Sequence, residues 1–467
     1  MRIRKYDYDY TRRVFLEKVA KGVGGGVLAP LWPTIVSSAE DISKAYPDEA
    51  ISIEANTKGK IKVGDTVDSK NVEHVKHLLD EITFTQIAQH GRKITIAAPT
   101  TDVSTMYPYT FFQATLKNAG KAGWDDTGNV VEAATGEPWI GGTPFPDMKN
   151  AMEAVANITL SWGRHDLSQY AIRDFDINPD GSRAYQYDLV WTELNTTART
   201  EGSRYFQDKK DMLRYQSVFF TAPQEQAGAS FLSPWHYDQR RLPELYGYLP
   251  QFRRVRQFPA NQRFEPLVPG ITLFLSDAWG AGDPMLTWGD TTLVERKPHL
   301  ASVKGNWRGG EHPNWENTHF HGGPKGLSFM DTVMELVPEV LVVDSSPTGY
   351  PRAPVGKKRM WIDARNGMLA GYVTYDRRGE VWKQVDAAFG QQIQGDVVNK
   401  DKFGYPHWSV AQVHIGDIQS GRMSMLQFAK EVRGGYQSRY EVKDEAEEVE
   451  VYNKFLTQNA LARLGTT

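Results

Sequence analysis

No cysteine occurs among the 467 residues. That absence excludes disulfides, thiol nucleophiles, thiolate metal sites and iron–sulfur clusters, and also lipid attachment through a cysteine. No sign of charge dominates: 54 Lys and Arg stand against 57 Asp and Glu, a net of −3. A chain so balanced has little to neutralise phosphates with, so nucleic acid is not an expected partner. No run is long and apolar enough to span a bilayer as a helix, which takes about 20 residues, so an integral membrane protein is not expected. Phosphate-binding Gly-x-x-x-x-Gly-Lys-Ser/Thr, Gly-x-Gly-x-x-Gly and nucleophile-elbow Gly-x-Ser-x-Gly patterns are all missing. No catalytic residue can therefore be named.

What is present begins at Thr11-Arg12-Arg13-Val14-Phe15-Leu16-Glu17-Lys18. Paired arginines, Phe-Leu and a lysine make a twin-arginine export pattern. A weakly apolar stretch follows over 22–36, with Gly24, Gly25 and Gly26 in it, and Ser37-Ser38-Ala39 offers small residues for cleavage. Residues 1–39 are therefore expected to be a twin-arginine signal, and the mature protein periplasmic. The signal holds seven Lys or Arg and three acids, a net of +4, so its removal takes the chain from −3 to about −7.

Aromatic residues are abundant at 12 %, with 13 Trp and 21 Tyr. They suit a large sheet or an apolar cavity. Val72, Val75, Leu78, Leu79 and Ile82 recur at helical spacing and predict a helix over 72–89. A second helix is expected over 148–160. From about 168 onward the pattern is that of strands, at 183–194, 212–220, 230–237, 245–258, 285–296, 335–343, 358–364, 368–375 and 380–389. Gly, Pro and Asp punctuate them, with tight turns at Asp363–Gly367 and Asp376–Gly379. The chain divides into a mixed helical and loop segment over 40–165 packing on the sheet, a curved sheet over 166–440 interrupted by an insertion at 297–332, and a terminal helix over 441–467.

Two constellations could carry chemistry. Leu242–Arg256 is an aromatic strand, a proline turn and a basic strand. Alternation places Arg254 and Arg256 on one face, either as a clamp for a carboxylate or phosphate or as a solvated, ion-paired strand face. His312, Glu316, His319 and His321 are a candidate transition-metal set, since imidazole and carboxylate are good ligands. They match no strong motif such as His-Glu-x-x-His, and a polar loop stapled by hydrogen bonds is the alternative.

The run Leu245–Arg256 resembles a strand pair of a large proteobacterial family of unknown function, itself similar to outer-membrane lipoprotein-sorting proteins. Gly141-Gly142-Thr143-Pro144-Phe145-Pro146, Arg359–Gly367, Tyr375–Trp382 and Leu456–Leu464 follow the same order, so the resemblance spans roughly 50–465. It implies a LolA/LolB-like α+β, mainly β fold: a large curved antiparallel sheet or incomplete barrel with covering helices. It also implies a non-enzymatic carrier of a lipid, sterol or lipoprotein acyl chain, working beside a resistance–nodulation–division type exporter and an outer-membrane partner. No cofactor is expected on this reading. Tyr185, Tyr187, Phe219, Phe220, Tyr246 and Tyr248 are the candidate lining, with Arg254 and Arg256 beside them. A metal-dependent enzyme at the histidine set and a structural adaptor of an envelope complex are the alternatives.

Overall fold

The computed structural model describes residues 48–160, 163–280 and 282–465. The expected signal over 1–39 lies outside the described residues.

Fifteen strands join into one sheet. In chain order they are β1 (Thr66–Val67), β2 (Ile94–Ala97), β3 (Leu167–Ile177), β4 (Arg183–Asn195), β5 (Met212–Ala222), β6 (Ser230–His236), β7 (Leu245–Leu249), β8 (Arg254–Phe258), β9 (Gly289–Ala301), β10 (Thr332–Ser346), β11 (Val355–Asp363), β12 (Leu369–Asp376), β13 (Val381–Gln391), β14 (Trp408–Asp417) and β15 (Arg422–Ala429). Across the sheet the order is β1-β2-β10-β11-β12-β13-β14-β15-β3-β4-β5-β6-β7-β8, with β9 also paired to β10. All pairings are antiparallel except β2 with β10. The end strands β1 and β8 do not meet, so the sheet stays open. The helices are α1 (Asp48–Ile51), α2 (Ile53–Asn56), α3 (Glu81–His90), α4 (Tyr109–Asn118), α5 (Ala151–Leu160), α6 (Glu445–Phe455) and α7 (Gln458–Leu464).

Every strand expected between 183 and 389 is present with shifted ends. β9 begins later than alternation suggested because Pro284 caps a tight turn over Met285–Thr287, whose Thr287 hydroxyl donates to the Pro284 carbonyl. The turns at 363–367 and 376–379 also form, with Gly367 at φ +70 and Gly379 at φ +84. β3, β14 and β15 were not among the expected strands. β3 and β14 are buried on nearly every position, so polar and apolar residues do not alternate there. The helix expected over 72–89 is shorter. Asp80 caps its start by accepting from the Ile82 and Thr83 amides, so α3 begins at Glu81, and two 3₁₀ turns over Val72–His74 and Lys76–Leu78 replace the rest. The terminal helix is likewise broken at Thr457, whose hydroxyl caps α7.

One face gathers a single buried cluster from nearly the whole width of the sheet. Leu245 of β7, Tyr187 of β4, Phe428 of β15, Ile415 of β14, Ile362 of β11 and Leu341 of β10 all belong to it. Residues from distant strands meet only if the sheet curves around them, so this face is concave. Two pieces of chain fill it. α5 presents Ala151, Ala154 and Ile158, and a strap over 259–288 presents Val268, Ile271, Leu273 and Leu275. The opposite, convex face carries separate smaller clusters. Residues 50–96 cover β10 with β9, α6 and α7 cover β3 to β6, and the chain over 302–331 lies across β14 and β15. The expected insertion at 297–332 is thus shorter, since 297–301 is sheet.

The strap is held by buried charges. Lys383 of β13 pairs with Asp277, both nearly without solvent, and its ammonium lies 3.4 Å from the Phe274 ring centroid. Arg263 pairs with Asp283 at 2.9 Å, and Lys358 donates to the Ser276 carbonyl. Removing one partner of a buried pair strands the other, at about 3–5 kcal/mol. Lys383→Met should therefore destabilise the protein by about 3–5 kcal/mol in urea titrations, and adding Asp277→Asn should recover part of the loss. A single variant as stable as the wild type would show that the pair does not hold the strap.

Candidate functional site

The six aromatic residues expected to line one cavity are divided between the two faces. Tyr187 and Phe220 belong to the concave cluster, and the Tyr187 hydroxyl donates to the Pro269 carbonyl of the strap at 2.6 Å. Tyr185 stacks on Tyr187 with 5.7 Å between centroids and is 41 % exposed beside Gly270. A Cβ on Gly270 would lie 2.3 Å from the Tyr185 ring, so only glycine lets the strap pass at this φ of +86. Phe219 points the other way, edge-on to Tyr436. Tyr248 is buried against Leu461 of α7, and Tyr246 donates to Glu244. One residue of offset along a strand flips the face, and this separates Phe219 from Phe220. The concave face where these side chains were to shelter a ligand is occupied by the protein's own strap.

Arg254 and Arg256 share a face of β8, as alternation required, and both are exposed. The four expected metal ligands are not brought together. The Glu316 carboxylate pairs with Arg173, and His312 Nδ1 lies 3.8 Å from its other oxygen. His319 is exposed. His321 faces elsewhere, with Nε2 accepting from the Lys93 amide and Nδ1 3.1 Å from Asp331. Among the described residues no three His, Asp or Glu side chains are grouped to hold a metal ion.

The convex face carries a cleft of about 540 Å³. α3 forms one wall through Ile82, Thr85 and Gln86. The ends of β3 and β15 contribute Ile177 and Met423, the β14–β15 turn contributes Ile418, and Phe329 closes one side. Clefts that hold small ligands span about 300–1,000 Å³ and are mostly apolar, so the size and lining are suitable. Gly416 of β14 lets the helix sit close, since a Cβ there would lie 2.9 Å from Gln86 Nε2. Two charged groups at the rim are already engaged: Glu81 accepts from the Tyr375 hydroxyl, and Arg422 donates to Asn178.

Beneath α3 runs a buried polar network. Arg92, fully buried, donates to Gln86 Oε1 at 2.7 Å and pairs with Asp386 of β13. Gln384, also on β13, donates to Asp80 at 2.9 Å. Burial, assisted by the Arg92 charge, holds His414 well below the usual imidazole range, so it is neutral and accepts from the Met330 amide. These bonds fix the helix over the strands, so the cleft is preformed.

A second polar group was not foreseen. Asp174 and Asp176 of β3 both point to the concave side beneath Gly270, and each is at most 1 % exposed. The Ser424 hydroxyl donates to one oxygen of Asp176. Among the described residues, no group outside the pair donates to the other Asp176 oxygen or to either oxygen of Asp174. Burial, with the neighbouring carboxylate, pushes Asp174 far up, and burial pushes Asp176 up to about 7. The pair therefore holds at least one proton near neutrality, shared between like charges. The sequence signal is the spacing Asp-Phe-Asp in a strand, which puts both acids on one face.

The chain belongs to DUF1329, a protein family of unknown function, whose pattern matches residues 66–462. No curated protein matches it. Three of the solved structures similar to it are the following. A domain from Vibrio parahaemolyticus named for outer-membrane lipoprotein sorting is 15 % identical, covering 67 % of this chain and 97 % of that one, with a TM-score of 0.41. A DUF1329 protein from Desulfovibrio piger is 12 % identical with the same coverages and a TM-score of 0.42. A LolA superfamily protein from Nitrosomonas europaea is 11 % identical, covering 63 % and 95 %, with a TM-score of 0.36.

The acid pair has a consequence for stability. A carboxyl group whose pKa is raised on folding binds its proton more tightly in the native state, so stability falls as pH rises from the unfolded value near 4 toward 7. Replacing the pair by Asp174→Asn with Asp176→Asn removes that term. The variant should gain on the wild type by about 1.4 kcal/mol per pH unit for each proton the pair retains, between pH 5 and 7 in urea titrations. A pH-independent difference between the two proteins would show that the pair is not proton-loaded.

Proposed function

We propose that this DUF1329 family member binds an apolar small molecule or acyl chain in the convex cleft beneath α3, and serves as a carrier rather than an enzyme. The observation that carries the reading is the cleft itself: a preformed, mostly apolar hollow of about 540 Å³ whose rim charges Glu81 and Arg422 are satisfied within the protein. Such a site offers mainly orientation and burial, with His90 of α3 the one imidazole in its lining. A lipid or sterol tail placing ten methylenes against Ile82, Ile177, Ile418 and Met423 would gain about 8 kcal/mol before ordering costs. Deducting about 3–4 kcal/mol for lost freedom leaves about 4–5 kcal/mol, an affinity of roughly a few hundred micromolar to a millimolar, weak enough to release cargo. In this reading the twin-arginine signal delivers the protein to the periplasm. The cargo is a lipid, sterol or lipoprotein acyl chain passed between an inner-membrane exporter and an outer-membrane partner.

Lipid extraction and mass spectrometry of the purified protein, with titration of a fluorescent fatty acid, test the proposal. Wild-type protein should bind the probe. Thr85→Trp, which fills the cleft from α3, and Ile418→Glu, which charges its wall, should each weaken binding at least tenfold with an unchanged melting temperature. Both positions are partly or largely exposed, so folding should survive. A wild type that binds no apolar probe, or variants that bind equally well, would overturn the reading.

A further inference from the structure

We propose that the tip of the β7–β8 hairpin docks the protein on an anionic lipid surface. From Leu245 to Phe264 the chain has four arginines and no Asp or Glu. Arg263 is buried in its pair with Asp283. Arg253, Arg254 and Arg256 are exposed, and none of them pairs with a carboxylate among the described residues. Gln251, Phe252, Arg253 and Arg254 are exposed in succession, so the turn projects from the sheet. Its geometry is fixed: the Phe252 and Arg253 amides both donate to the Leu249 carbonyl, and Arg253 adopts φ +50. Phe252 stands at the tip, 46 % exposed, with the Arg256 guanidinium 4.2 Å from its ring centroid.

Three unpaired guanidinium groups around one outward ring suit a headgroup layer. Arginine donates in a planar fork that matches phosphate oxygens, and an aromatic ring settles at the boundary between headgroups and tails. An acidic protein would match the charges, but it would leave Phe252 without an apolar seat. Charge also sets the orientation. Without the +4 signal the chain falls from −3 to about −7, so an anionic membrane repels the body and attracts this corner. A second copy is a poor occupant, because β8 is the last strand of the sheet and its Arg254 and Arg256 would meet the same arginines.

The inference does not rest on the cleft, and its test is separate. The mature protein, residues 40–467 without the basic signal, is floated with vesicles of phosphatidylcholine alone or with about one third phosphatidylglycerol. It should bind only the anionic vesicles and leave them in about 1 M salt, where screening is nearly complete. Arg253→Gln, Arg254→Gln and Arg256→Gln together should weaken binding on the order of a hundredfold, about fivefold for each arginine. Phe252→Ser should weaken it severalfold while the melting temperature stays unchanged. Equal binding to neutral vesicles, or triple and wild-type proteins that bind alike, would overturn the proposal. So would capture by polyglutamate beads without any binding to vesicles, which would point to an acidic protein instead.

Discussion

Most of this structure answers one requirement, which is to bury the concave face of a very wide sheet. Fourteen strands in line at about 4.8 Å apart span roughly 60 Å along the curve. The ten residues of α5 cover only about 15 Å of that. Curvature shortens the gap without closing it, because β1 and β8 never meet. The rest must come from another segment, and the strap over 259–288 supplies it. Val268, Ile271, Leu273 and Leu275 lie on strands that would otherwise face water. The same cover occupies the hollow that a half-barrel would offer a ligand, and the cleft beneath α3 lies on the other face.

A strap of irregular backbone needs partners for its own polar groups, and the sheet provides them. Lys383, Lys358 and Tyr372 reach from the concave face to Asp277, the Ser276 carbonyl and the Asp277 carbonyl. Buried ions rarely add net stability over a well-packed apolar core. Their service here is placement, since each bond is possible in one register of strap against strand. The middle of the strap is seated differently. Around Gly270 it rests over Asp174 and Asp176, which are comfortable only while they share protons. The two ends are anchored by opposite charges, and the centre sits on like ones.

Much of the sheet was legible in the sequence because its strands were bounded by turn residues with one backbone solution. Gly367 and Gly379 are in the left-handed conformation that Asn-Gly and Arg-Gly pairs announce. β3 and β14 were hidden because they are buried on both faces, and Asp174, Gln412 and His414 occupy positions where alternation anticipates apolar or exposed residues. The candidate lining failed for a related reason. Aromatic content marks burial but not which face is buried, and nothing in Phe219-Phe220 shows which ring meets the strap and which meets the terminal helices. The cleft could not be read at all. Ile82, Ile177 and the hairpin pair Ile418 and Met423 come from three separate segments, and only the pairing of β15 with β3 and the seating of α3 bring them together. The hairpin at 245–258 was the exception: proline, alternation and charge were all local, and the structure kept them.

That locality bears on how two surfaces of one protein can work without interfering. The cleft sits over β13 to β15, walled by a helix that Arg92, Asp386 and Gln384 lock in place. Its shape does not depend on what happens at the sheet's far end. The hairpin tip belongs to β8, seven strand positions from β14, or roughly 30 Å along the sheet. A surface held at the tip would touch neither α3 nor the β14–β15 turn. The sheet between them is continuous and cross-bonded at every strand, so the spacing is as rigid as the fold. A preformed cleft loses little affinity to ordering on binding, and a docking point set well apart from it leaves that cleft open to exchange.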